Sequence, residues 1–248
     1  MHLYYFLCIL FLSILPLNAD IDFSILPWYN APVIKPVWTV ESVISEEAVD
    51  LPKYSISKAS RDLIVEFEIT SEAYYLRHYL HPEWPEGASG ITIGIGYDLG
   101  YSTKQRVAKD WHMLSDVKRL ELVTGFTGLK ARNLLYTVKD VVVPLLDANE
   151  VFDNVTLIEE MALTVRTFPG ADDLRPNAFG ALVSLIYNRG SSLVGDRRRE
   201  MRNIKELVPK KDYAGIAQEL RDMKRIWRGT TPGLVRRREA EAKLVEIP

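Results

Sequence analysis
The chain has 248 residues, 47% hydrophobic and 26% charged, which excludes a disordered or collagen-like polypeptide and fits one globular domain with some additional chain. Lys and Arg number 31 against 33 Asp and Glu, so the whole chain carries no field that would draw it to nucleic acid. Residues 184–248, however, hold 16 Lys and Arg against 9 Asp and Glu, and that local excess favours an anionic polymer as partner.

Residues 3–17, LYYFLCILFLSILPL, form a nearly unbroken apolar run, and Asn18-Ala19-Asp20 follows, with a small residue suited to cleavage. The run is shorter than the roughly 20 residues of a spanning helix. Residues 1–19 therefore read as a signal peptide, giving a secreted or periplasmic protein with no stable membrane association after cleavage. A retained anchor is the alternative, because the leader offers only His2 ahead of the apolar run. The single cysteine, Cys8, lies inside this segment, so the mature chain would hold no thiol for disulfides, zinc or nucleophilic catalysis.

Residues 20–54 contain Pro27, Pro32, Pro36 and Pro52 among scattered aromatics and show no sustained period, as expected of a linker or a wrapping arm. From Ser57 to Glu68 the spacing predicts a helix with Ala59, Leu63, Ile64 and Phe67 on its inner face. Residues 91–97 switch to period two, with Ile91, Ile93 and Ile95 on one side and Thr92, Gly94 and Gly96 on the other, which predicts a half-buried strand or a tight hairpin. Helical spacing then returns and predicts helices over 103–114, 118–124, 128–138, 157–167, 177–188, 197–207, 213–223 and 234–245. A small β element ahead of a mainly helical body is an α+β plan.

The side bearing Thr92, Gly94 and Gly96 has no bulk beyond one hydroxyl, so an extended ligand can lie against it. Asp98 shares its parity, but six extended residues span roughly 20 Å, and both can serve one site only if the chain turns. Glu68 follows the core-facing Phe67, where desolvation raises a carboxyl pKa toward the range a general acid needs. Spacing alone does not separate it from Glu66 or Glu72.

The succession Phe67-Glu68, Tyr74-Tyr75 and Thr92-Ile93-Gly94-Ile95-Gly96-Tyr97 resembles the phage-type lysozymes, and more closely the pesticin-like muramidases, in which a catalytic Glu is followed by a hairpin Thr and, six residues on, an Asp. AFGALVSLIYNRG (178–190) resembles the long central helix of that fold, and MKRIWRGTTPGLVRRREAEAKL (223–244) its closing motif. The resemblance covers about 55–248 and implies a lysozyme-like muramidase domain there. It implies a catalytic set of Glu68, Thr92 and Asp98. Tyr97 and Gly94 are candidate substrate contacts beside that set, and so are Tyr187, Asn188 and Arg189, whose place at a helix end suits a cleft lining and, equally, packing and capping. The better-known phage branch instead has an Asp before the Thr, where Glu86 is the nearest counterpart in this chain.

The implied reaction is hydrolysis of the β-1,4 bond between N-acetylmuramic acid and N-acetylglucosamine. Glu68 would protonate the leaving oxygen, Thr92 would hold the attacking water, and Asp98 would orient it or balance the developing charge. Water held opposite the acid implies inversion, with the two carboxyls roughly 6.5–9.5 Å apart. A lytic transglycosylase and a non-catalytic glycan-binding module on the same fold are the alternatives. Peptidoglycan strands are the expected partner, with an immunity or inhibitor protein as a further one; no nucleic acid, cofactor or metal is expected. His78-x-x-His81 lacks a third ligand, and Gly94-x-Gly96-x-x-x-Gly100 misses the dinucleotide spacing. The runs Arg197–Arg199 and Arg236–Arg238 read as solvated helix faces.

Overall fold
In the computed structural model, which describes residues 54–227 and 229–248, the side chain of Ser57 accepts a hydrogen bond from the amide of Ser60 and so caps helix α1, Lys58–Ile69. The expected signal segment 1–19, and the arm 20–54 apart from Tyr54, lie outside the described residues. The inward stripe of α1 is Ser60, Ile64, Glu68 and Ile69 rather than the one headed by Ala59, which is exposed. This rotation puts Glu68 on the buried stripe itself instead of at its margin. After Thr70, Ser71 caps a second helix, α2 (Glu72–His78), which is too short for its period to stand out in the sequence.

Residues 91–97 are not one strand but the core of a hairpin. Strand β1 (Thr92–Ile93) pairs antiparallel with β2 (Tyr97–Asp98), in the register Thr92 with Asp98 and Ile93 with Tyr97. Gly94 and Gly96 take φ of +59° and +73°, a conformation that costs a side-chain-bearing residue free energy, and so reverse the chain between the two strands. The separation expected of an extended segment thereby collapses to direct cross-strand pairing. Glu83 adds a third rung: its amide donates to the Thr92 carbonyl at 3.0 Å, and the Thr92 amide donates to the Glu83 carbonyl at 2.8 Å.

A 3-10 turn (Leu99–Tyr101) leads into α3 (Lys104–Asp110), α4 (Val117–Leu122) and α5 (Gly128–Leu134). Next come α6 (Leu145–Val151), a π-helical turn (Phe152–Thr156), α7 (Leu157–Thr167), α8 (Pro176–Arg189), α9 (Arg199–Leu207), α10 (Tyr213–Asp222) and α11 (Pro232–Glu246). Helix α8 is apolar all round and is buried from Ala178 to Arg189, as such a helix must be in water. Helices α1, α7 and α11 pack about it. Contact with α1 is close because a Cβ on Gly180 would stand 2.2 Å from Ser60 Cβ. The mostly helical body with its two-stranded sheet is a lysozyme-like α+β fold.

The arginine runs are not uniformly solvated. Arg198, Arg237 and Arg238 are buried, since a helix crossing the core presents some of any three consecutive residues inward. In the His78-x-x-His81 pair, His81 bonds the Val141 carbonyl through Nδ1, and His78 stacks on Tyr74. No helix among the described residues is long and apolar enough to cross a membrane.

Candidate active site
A small open-sided pocket lies where the end of α1 meets the hairpin, lined by Glu68, Ile69, Tyr79, Glu83, Thr92, Gly94 and Gly96. Glu68, 8% exposed, comes from the last turn of α1. Thr92 comes from β1, and the two glycines keep the adjoining wall free of side chains. The hairpin is braced from behind. The Tyr187 hydroxyl donates to the Ile95 carbonyl at 3.0 Å, Tyr97 donates to Asp110 at 2.9 Å, and a Cβ on Gly94 would come within 2.7 Å of Trp111.

Glu68 is held by the far end of the chain. Arg237 of α11, fully buried, donates through Nη1 to Glu68 Oε1 at 2.6 Å, through Nε to Ser184 Oγ at 3.1 Å, and through Nη2 to the Ser184 carbonyl at 3.2 Å. Ser184 Oγ donates in turn to Glu241 Oε1 at 2.7 Å, which also accepts from Arg238 at 2.5 Å. Burial pushes the Glu68 carboxyl above its ordinary pKa, and the charge and hydrogen bond of Arg237 pull it back only in part. Burial therefore shifts this carboxyl in the direction a general acid requires.

The expected site residues divide. Glu68, Thr92 and Gly94 share the pocket. Asp98 is the register partner of Thr92, but its carboxylate accepts from the amides of Gly100 at 2.7 Å and Gly90 at 3.2 Å, and burial raises it to about 6 against those two bonds. Tyr97, Tyr187, Asn188 and Arg189 are buried and are not among the pocket walls. Arg189 donates to the Arg197 carbonyl and lies over the Trp227 ring, so its visible contacts serve packing. Glu86 occupies an exposed turn at φ +72°, outside the pocket.

Glu83 was not distinguished by sequence reasoning. It lies between Pro82 and Trp84-Pro85, a stretch without period, and its place in the pocket is made by a bridge to a strand that spacing cannot foresee. The one available signal was an acidic residue among prolines shortly before a glycine-rich run. Burial alone raises its carboxyl to about 7.

Among curated proteins, none matches the chain. The family model described as phage lysozyme matches residues 70–241, from just after Glu68 to Glu241, and takes in the hairpin, the central helix and Arg237. That family carries a peptidoglycan-hydrolysing, lysozyme-like function, with the cell-wall polymer as substrate. With most of its length matched and the family's helical body and small hairpin in place, the chain belongs to the phage lysozyme family.

Proposed function
We propose that the protein is a secreted muramidase that hydrolyses the β-1,4 bond between N-acetylmuramic acid and N-acetylglucosamine, with Glu68 as the acid. The observation that carries this reading is the buried Glu68 carboxyl, raised above its ordinary pKa and sharing an open-sided pocket with Thr92. Cleavage of a glycosidic bond needs a proton on the leaving oxygen and a group on the opposite side of the sugar to direct water or steady the cationic transition state. Glu68 supplies the proton, and the Thr92 hydroxyl holds the water. The pesticin-like pattern gives Asp98 the task of orienting that water, and its two amide bonds also tie the base of the hairpin.

The test is to digest peptidoglycan with the chain beginning at Asp20 and with its Glu68→Gln variant, and to identify the fragments by mass spectrometry. Reducing muramic-acid ends that fall roughly 100- to 10,000-fold in the variant are expected. Anhydro-muramic ends would make the protein a lytic transglycosylase. Binding to the wall without release of fragments would make it a glycan-binding module.

A further inference from the structure
We propose that Glu83, rather than Asp98, is the second carboxylate of the site and takes the proton from the attacking water. The inference rests on the muramidase reading above and deepens it. Glu83 and Thr92 form a doubly hydrogen-bonded antiparallel pair, with bonds of 3.0 and 2.8 Å. Residues so paired point their side chains to one face, with Cβ atoms about 4.5–5.5 Å apart, a gap that one water bridges. Both side chains line the pocket that holds Glu68. Asp98 pairs with Thr92 on the other side, but its oxygens already accept from Gly90 and Gly100, and it is not a wall of the pocket.

The Glu83 carboxylate has neither a hydrogen-bond partner nor an ion pair among the described residues, although it is partly buried. A carboxylate at a pocket wall that no protein group engages is open to water or a ligand. Tyr79 stands near both carboxyls, and Arg237 binds Glu68 on the side away from solvent. The pocket thus holds one carboxyl with a fixed cation and one without.

Glu83 takes a proton from water while the water oxygen bonds to C1 of the muramic acid. The bond from C1 to the bridging oxygen breaks, and that oxygen leaves with the proton of Glu68. Glu83 ends protonated and Glu68 ionised, and exchange with solvent restores both.

Glu83→Ala, Glu83→Gln and Asp98→Ala are assayed on peptidoglycan with and without sodium azide, with melting temperatures measured in parallel. Azide has no proton to lose, so it attacks C1 without a base wherever the base has been cut away. Expected are a fall in kcat of about 100-fold or more for Glu83→Gln with KM changed only a few-fold, and azide-dependent release of glycosyl azide by Glu83→Ala. Glycosyl azide from Asp98→Ala and not from Glu83→Ala would overturn the proposal. So would a Glu83→Gln enzyme within a few-fold of the parent, or one whose loss lies in KM and is not rescued. Failure of the parent itself to cleave any wall overturns the muramidase reading, an outcome the unsubstituted chain reports separately.

Discussion

Replacing Arg237 by Met keeps the volume of a long side chain and removes the cation, leaving Glu68 buried without its partner. Arg237 makes three hydrogen bonds, to Glu68 and twice to Ser184, and its Nε stands 3.4 Å from Glu241. Glu241 keeps Arg238 and Ser184, so Glu68 is the group left uncompensated. Removing one partner of a buried pair costs about 3–5 kcal/mol. At about 2–4 °C per kcal/mol for a chain of this size, the melting temperature should fall by roughly 6–20 °C.

The loss should depend on pH. Burial already raises Glu68 above 4.5, and without Arg237 it rises further. A carboxyl whose folded pKa is raised contributes stability that is complete below its unfolded value and is lost as pH climbs through the folded one. The deficit of Arg237→Met should therefore be smallest near about pH 4 and widen toward neutrality and beyond. The alkaline limb of kcat/KM, set by loss of the acid's proton, should move to higher pH, and Arg237→Lys, which keeps the charge, should move it less. Calorimetry across pH and a pH–rate profile measure both effects. A melting temperature within about 2 °C of the parent at all pH values, with an unmoved alkaline limb, would show that Arg237 does not govern Glu68.

Three further outcomes follow from the packing. Gly180→Ala should cost about 1–3 kcal/mol in urea unfolding and lower activity as well, because its Cβ would meet Ser60 on the helix that carries Glu68; adding Ser60→Gly should recover much of both. Glu160→Gln should stabilise the fold: burial, then Glu159 and Glu68, raise Glu160 to about 8, so its contribution is complete below 4.5 and lost as pH rises to that value. The gain, on the order of 1–3 kcal/mol, should appear near pH 8 and vanish in acid. Tyr187→Phe removes the donor to the Ile95 carbonyl and should cost about 1 kcal/mol, read as faster amide hydrogen exchange across Gly94–Gly96 with the helical body unaffected.

The helical body was legible because its period is long and its composition uneven. The run from Ala178 to Arg189 has no polar face to offer solvent, and the helix expected over 157–167 spans Leu157–Thr167. The hairpin was half legible. Alternation located Ile91, Ile93 and Ile95 in the core, but it cannot tell a strand from a reversal at two glycines. Tyr187 and Arg189 belong to a motif that was visible in the sequence, while their contacts are tertiary: one braces the hairpin, and the other lies over Trp227. Helix α6 begins at Leu145, and Pro144 before it offers no side-chain cap, so no capping residue marked its start. Glu83 depends on a bridge across the chain, and Arg237 on a partner 169 positions away, neither of which any local window contains.

That last span bears on when, during synthesis, the surroundings of Glu68 are completed. A ribosome that has delivered α1, the hairpin and α8 has already made Glu68, Glu83 and Thr92, but α11, which packs on both α1 and α8, is still to come. Until it docks, Glu68 lacks the Arg237 guanidinium that it pairs with in the complete fold. A nascent or truncated chain thus carries every residue of the pocket wall without the partner of Glu68, and if Glu68 is the proposed acid, its setting is completed only when the last helix docks.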